Sequence, residues 1–242
     1  MAGKSTLEKH LRKQALELGA NYFGVADLSP ARELVLELGG QMVERFPRAI
    51  CIGVAMPSAI VDQLPRHDSK AVALSYRSHG YDILNLRLDQ IASRLSSALQ
   101  LEGCRAFPVP ASQAVDDERL YGLFSHKLAA HLAGLGWIGK SCLLVTPEIG
   151  PRVRWASILT DAPIMAGQPL AERCGRCTEC VEACPAHAFT DRNFRDDEPR
   201  EARFDAFKCY EYQRRQREHM GVILCGMCVY VCPHGRKDSG SD

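Results

Sequence analysis

Eight cysteines lie between positions 174 and 232 in two short runs and one isolated site, and thiolates are strong ligands for soft metals. Cys174, Cys177, Cys180 and Cys184 follow one another as C-x2-C-x2-C-x3-C, with Pro185 next. Spacing this tight lets three thiolates grip three irons of one cubane while the fourth reaches a second cluster. The later run, Cys225-x2-Cys228-x3-Cys232-Pro233, has Val222 where a leading cysteine would stand. A 4Fe–4S cluster takes four ligands, so the missing one is assigned to Cys209. Crossing the fourth ligands predicts one cluster on Cys174, Cys177, Cys180 and Cys232, and another on Cys184, Cys209, Cys225 and Cys228. The competing reading is a pair of zinc sites, but zinc ligands come as separated CxxC pairs rather than as C-x2-C-x2-C-x3-C-P followed by a second Cys-Pro.

A second block also has the residue types for chemistry. Gly134-Leu-Gly-Trp-Ile-Gly139-Lys140-Ser141 satisfies the phosphate-loop pattern letter for letter. A phosphate loop needs a strand before it and a helix after it, so that helix amides face the phosphates. Here the pattern predicts the reverse order, a helix ending at Ala133 and a strand at Cys142–Thr146. The block reads as a glycine-terminated helix turning into a strand.

The remaining elements must position these groups. Leu7, Leu11, Ala15 and Leu18 repeat at helical spacing behind a Ser5/Glu8 capping box, and Gly19 ends that helix. A strand is predicted at Tyr22–Ala26, then a helix opened by Ser29-Pro30 that stops near Pro47. Ala49–Ala55 is a continuous apolar run, as in a buried strand. Residues 82–101 place Leu84, Leu88, Ile91, Leu95 and Leu99 on one helical face. A strand at Cys104–Val109, a helix over about Glu118–Ala133 and a strand at Val153–Thr160 complete an α/β pattern. Asp161–Pro169, with two prolines and a glycine, marks a boundary. The expected domains are therefore residues 1–165, an α/β unit, and residues 166–242, a small unit like a two-cluster bacterial ferredoxin. Lys237–Asp242 is expected to fray.

The chain has 242 residues, a formal charge of +1 and 24% charged residues, so no strong global field points to nucleic acid. Eleven cysteines without a disulfide-like distribution, a polar N-terminus without a signal-like apolar run, and no stretch near ~18 apolar residues predict a cytoplasmic protein that does not enter a membrane. Cys51, Cys104 and Cys142 are scattered among apolar residues and read as small hydrophobes.

The residues Ala133–Lys140, Leu159-Thr-Asp161 and both cysteine runs resemble the epoxyqueuosine reductase family, relatives of corrinoid-dependent reductive dehalogenases. Gly24-Val-Ala-Asp27, the strand Ala49–Ala55 and Tyr76-Arg77 with Tyr81 echo it more weakly. The resemblance implies a sandwich-like α+β domain that holds cobalamin, with the clusters passing electrons to its cobalt. It nominates Tyr76, Tyr81, Gly134, Gly136, Trp137, Gly139 and Lys140 as cofactor-binding residues. A redox donor of ferredoxin or flavodoxin type is the implied partner.

Two departures bear on function. The family carries a Val-Asp-Thr/Ser segment ahead of the glycine block, whose aspartate is thought to protonate the substrate. Counting back from the block here lands on Arg119–Leu120, so Asp116, Asp117 and Tyr121 become the candidate proton donors. The tRNA-modifying members extend past the second cluster into a helical-repeat domain, whereas the 242 residues read here end ten after Cys232, so tRNA is a weak expectation as partner. Two other readings follow: an electron-transfer protein that serves the corrinoid of a partner protein, and a plain two-cluster ferredoxin. Among single residues, His126 and His131 read as hydrogen-bonded structural histidines, and Arg214-Arg215-Gln-Arg217 as a solvated helix face.

Overall fold

The computed structural model describes residues 2–236, with side chains described from Thr6 onward. The tail expected to fray, residues 237–242, lies outside the described residues. Helix α1 (Ala2–Glu17) buries Leu11 and Ala15, and Gly19 at φ +97 ends the turn that follows it. Ser5 lies inside this helix rather than at its start, since helical turns already begin at Ala2. Strand β1 (Tyr22–Asp27) pairs antiparallel with β2 (Arg48–Ala55), Tyr22 facing Gly53. Between them helix α2 (Arg32–Gly39) is shorter than expected, because Gly40 adopts φ +54 and breaks the helical path well before Pro47.

Short helices α3 (Ser58–Val61) and α4 (Lys70–Arg77) lead to α5 (Ile83–Leu101). All five side chains of its apolar stripe are buried, each contributing about 1.5–3 kcal/mol. Strand β3 (Ala106–Val109) follows, then α6 (His126–Leu132), the two-residue strands β4 (Trp137–Ile138) and β5 (Leu144–Val145), and β6 (Val153–Thr160). Helices α7 (Glu179–Glu182), α8 (Ala206–Met220) and α9 (Met227–Tyr230) belong to the cysteine-rich segment. No helix among the described residues is long and apolar enough to cross a membrane.

Two compact units emerge. The first comprises residues 1–55, 84–135 and 154–170. It is built on one sheet with strand order β1-β2-β6-β3, β3 and β6 being antiparallel. Helices α1 and α6 pack on β1, and α6 also meets β2. The fold is thus mixed α/β. The second unit comprises residues 56–83, 136–153 and 171–242. It takes in two earlier segments besides the cysteine-rich one, so the division is not a single cut near residue 165. The reason is local packing: Leu64 and Tyr76 close on Gly226, and Gly139 closes on Cys174.

The helix expected over 118–133 is confined to its last half. Residues 115–121 instead close a tight loop, with Val115 and Asp116 amides donating to the Tyr121 carbonyl at 2.9 and 3.1 Å. Leu120 sits at φ +54, and helix α6 starts only where the Ser125 hydroxyl caps the Leu128 amide.

His126 in that helix is tied at both ring nitrogens. Nε2 donates to the Pro110 carbonyl at 3.0 Å, and Nδ1 lies 3.0 Å from the Ser157 hydroxyl. Burial, with the Arg154 and Lys127 charges adding, lowers its pKa from 6.5 to about 4. The folded state therefore holds a neutral imidazole that the unfolded chain would protonate. This contribution to stability is complete above pH 6.5 and is lost as pH falls from 6.5 toward 4. Thermal midpoints across that window should fall more steeply for the natural protein than for His126→Gln, which keeps a neutral polar group there.

Candidate metal centre

The β4–β5 hairpin and the two cysteine runs build the site within the second unit. Trp137 pairs with Val145 and Ile138 with Leu144. Gly136 is required here: a Cβ would stand 2.3 Å from the Val145 carbonyl oxygen. At the tip the Gly139 amide donates to the Leu143 carbonyl at 2.9 Å, and the Cys142 amide donates back to Gly139 at 2.9 Å. This tight turn brings bare backbone to the metal ligands, with the Gly139 Cβ position 3.3 Å from Cys174 Sγ.

Cys174, Cys177, Cys180 and Cys232 line one cavity, together with Lys140 and His234. Burial pushes the Cys180 thiol up to about 12, and the charges of Cys174, Cys232 and Cys177 add to it. Burial likewise raises Cys232 to about 11, with Cys174 and Cys177 adding and the His234 and Gly235 amides opposing. Cys174 is raised by burial, with the Glu172 charge adding and the nearby Lys140 and Trp137 N–H groups opposing the rise.

The other four form their own neighbourhood. Helix α8, capped by Asp205 accepting from the Lys208 amide at 3.0 Å, carries Cys209. Burial raises Cys225 to about 11, with Cys209 and Cys184 adding. Cys228 is pushed well up by burial, then by Cys225, Cys209, Cys180 and Cys184. The Ala188 amide donates to Cys184 Sγ at 3.4 Å, and Gln213 Nε2 donates to Cys209 Sγ at 3.2 Å. Cys180 acts on Cys228, so the two groups are neighbours.

Two sets of four thiols fit two cubane clusters, whose irons relieve the repulsion that otherwise resists deprotonation. Among the described residues no His, Cys, Asp or Glu trio converges closely enough for a single ion. The remaining cysteines differ: Cys51 is buried with its thiol raised to about 12, Cys142 is buried and Cys104 half-buried.

The residues nominated for a corrinoid are placed otherwise. Gly134, at φ +76, ends helix α6 in the first unit, and a Cβ there would stand 2.5 Å from the Gln168 carbonyl oxygen. Tyr76 is buried against Gly226, its hydroxyl donating to Met56 Sδ at 3.8 Å. Tyr81 lies under the Arg77 guanidinium at 4.8 Å. Trp137 is buried edge-on to His234, 4.8 Å between ring centroids. Lys140 Nζ pairs with Asp191 at 2.7 Å. Burial works against its charge, but the Asp191 contact and the nearby Cys174 and Cys177 outweigh it, and the Lys140 pKa is raised. Gly134 and Gly136 each face a carbonyl of the chain itself, and Gly139 and Lys140 lie beside the first thiol group. The phosphate-loop letters are accounted for in the same way, since helix α6 precedes the block and strands occupy and follow it.

Asp116 and Tyr121 form an isolated bridge in the loop of the first unit, and Asp117 is exposed beside them. Asp116 Oδ1 accepts from the Arg119 amide at 2.8 Å. The Arg119 guanidinium lies 4.8 Å over the Tyr121 ring and reaches Glu37 at 2.7 Å. Asp191 and His234 carried no motif in the sequence; only the Cys-Pro step before His234 hinted that the chain there turns at a cluster.

Comparison with known proteins agrees with this geometry. Residues 173–235 match the family model described as a 4Fe-4S double cluster binding domain. An epoxyqueuosine reductase of Synechococcus sp. (strain CC9605) is 31% identical over 257 residues, covering 95% of this chain and 76% of that one. That of Leadbetterella byssophila is 26% identical over 258 residues, covering 93% and 78%. With that of Bacillus anthracis the match is 32% over 131 residues, spanning 50% of this chain and 31% of the relative. The chain thus aligns with only about a third of the length of such relatives. Among solved structures, a catabolic reductive dehalogenase, NpRdhA, superposes with TM-score 0.72 at 20% identity, covering 94% of this chain and 32% of that one. An epoxyqueuosine reductase with an epoxyqueuosine-modified tRNA stem loop superposes with TM-score 0.59 at 20% identity, covering 96% and 66%. At such identities the likeness is one of fold.

Proposed function

Because the chain belongs to the epoxyqueuosine reductase family, we propose that it is an iron–sulfur reductase whose two 4Fe–4S clusters deliver single electrons to a corrinoid. The observation that carries this reading is the sorting of eight thiols into two adjacent groups of four, one of them roofed by the glycine block. In the first group Cys174, Cys177, Cys180 and Cys232 would hold one cluster; in the second Cys184, Cys209, Cys225 and Cys228 would hold the other.

Bound corrinoid supplies the low-potential metal chemistry, and the protein supplies positioning, electrostatics and a proton. Opening an epoxide to an alkene consumes two electrons and two protons and releases water. The neighbouring clusters suit electron delivery in single steps. The loop of Asp116, Asp117 and Tyr121 offers the acids.

The experiment uses anaerobically reconstituted protein with cobalamin and an epoxyqueuosine-modified tRNA stem loop. Visible spectra report cobalamin binding, and reductant-dependent loss of the epoxide reports turnover. Binding with turnover is the expected result. Electron delivery to a separate corrinoid protein without turnover would favour the electron-carrier reading, and two clusters without any corrinoid interaction would leave a ferredoxin.

A further inference from the structure

The glycine block has a use that its phosphate-loop letters conceal. Trp137 is 1% exposed, and its indole Nε1–H has no hydrogen-bond partner among the described residues. The Lys140 side chain is 5% exposed, lines the first cavity, and pairs at 2.7 Å with Asp191, which is 49% exposed. Bare backbone at Gly139 lets these groups approach the sulfur.

We infer that Trp137 and Lys140 are positioning residues that raise the reduction potential of the first cluster, with Asp191 partly offsetting the lysine charge. A reduced cluster carries one more negative charge than the oxidised form. N–H donors to its thiolates and a buried cation beside it stabilise that extra charge, and both effects strengthen where water is excluded. The second group has its own N–H donors, from Ala188 and Gln213.

The inference rests on the two-cluster assignment, and iron analysis of each variant separates a failure of that assignment from a failure of tuning. Redox titration of the anaerobic protein, followed by electron paramagnetic resonance, reads the two clusters separately. Lys140→Met should lower the reduced-to-oxidised ratio of the first cluster about tenfold at fixed poise, about 59 mV for a one-electron couple. Trp137→Phe should lower it in the same direction. Asp191→Asn should raise it, by a smaller factor because the carboxylate is half exposed to screening solvent. Lys140→Arg should restore most of the natural value. A merely structural role would shift Lys140→Met and Asp191→Asn the same way or not at all, and either outcome overturns the inference. If Lys140→Met fails to assemble its clusters, the opposite signs expected for Trp137→Phe and Asp191→Asn decide the matter alone.

Discussion

Replacing Cys209 by Ala should cut the iron and sulfide of anaerobically prepared protein from about eight to about four of each per chain. Cys209 stands on helix α8, apart from both runs, and no local spacing demands it as a ligand. The structure puts its charge among those acting on Cys225 and Cys228. Its loss leaves the second cluster with three thiolates, whereas the first cluster keeps all four of its own. The surviving spectrum should be that of the Cys174, Cys177, Cys180 and Cys232 cluster, and Cys177→Ala should spare the other one instead. Cys209→Ser is the milder form, since a hydroxyl is a poorer ligand for iron than a thiolate. Natural protein that returns only four irons would remove Cys209 from the ligand set.

Among Asp116→Asn, Asp117→Asn and Tyr121→Phe, one should lose ~100-fold or more of its turnover while keeping its cluster content and cobalamin binding. That separation is expected because a proton donor acts on the transition state alone. The substitutions are chosen to spare the loop. Asparagine retains the side-chain oxygen with which Asp116 accepts from the Arg119 amide. Phenylalanine retains the ring beneath the Arg119 guanidinium. Loss of activity would thus report lost acidity rather than a collapsed turn. If all three variants keep full turnover, the proton comes from elsewhere; if the natural protein shows none but still delivers electrons to a partner corrinoid, it is a carrier.

Much of the molecule could be read from local pattern. The stripe Leu84, Leu88, Ile91, Leu95 and Leu99 predicted helix α5, and each of those side chains is buried. The strand Val153–Thr160 was legible residue for residue, because an apolar run with β-branched members has one stable use at the centre of a sheet. The cysteine spacing named the clusters, since ligands three residues apart grip one cubane through local turns and the cysteine four residues further on reaches the other. The helix expected to start at Glu118 failed for a reason that periodicity does not contain. A backbone bridge between Asp116 and Tyr121, with Leu120 in the left-handed region, held residues 115–121 as a loop until Ser125 could cap.

Local spacing specifies what neighbours in sequence can do together: a stripe that buries, a turn that closes, three thiolates on one cube. The use of the glycine block was decided by contacts that no window of sequence holds. Lys140 meets an aspartate 51 positions away, Trp137 meets a histidine far down the chain, and Gly139 clears the way to Cys174. The same letters spell a phosphate loop when a strand precedes and a helix follows, because helix amides then converge on an anion. Here a helix precedes and a hairpin follows, so the backbone at Gly139 lies against a cysteine sulfur instead, and that difference exists only once the chain is folded.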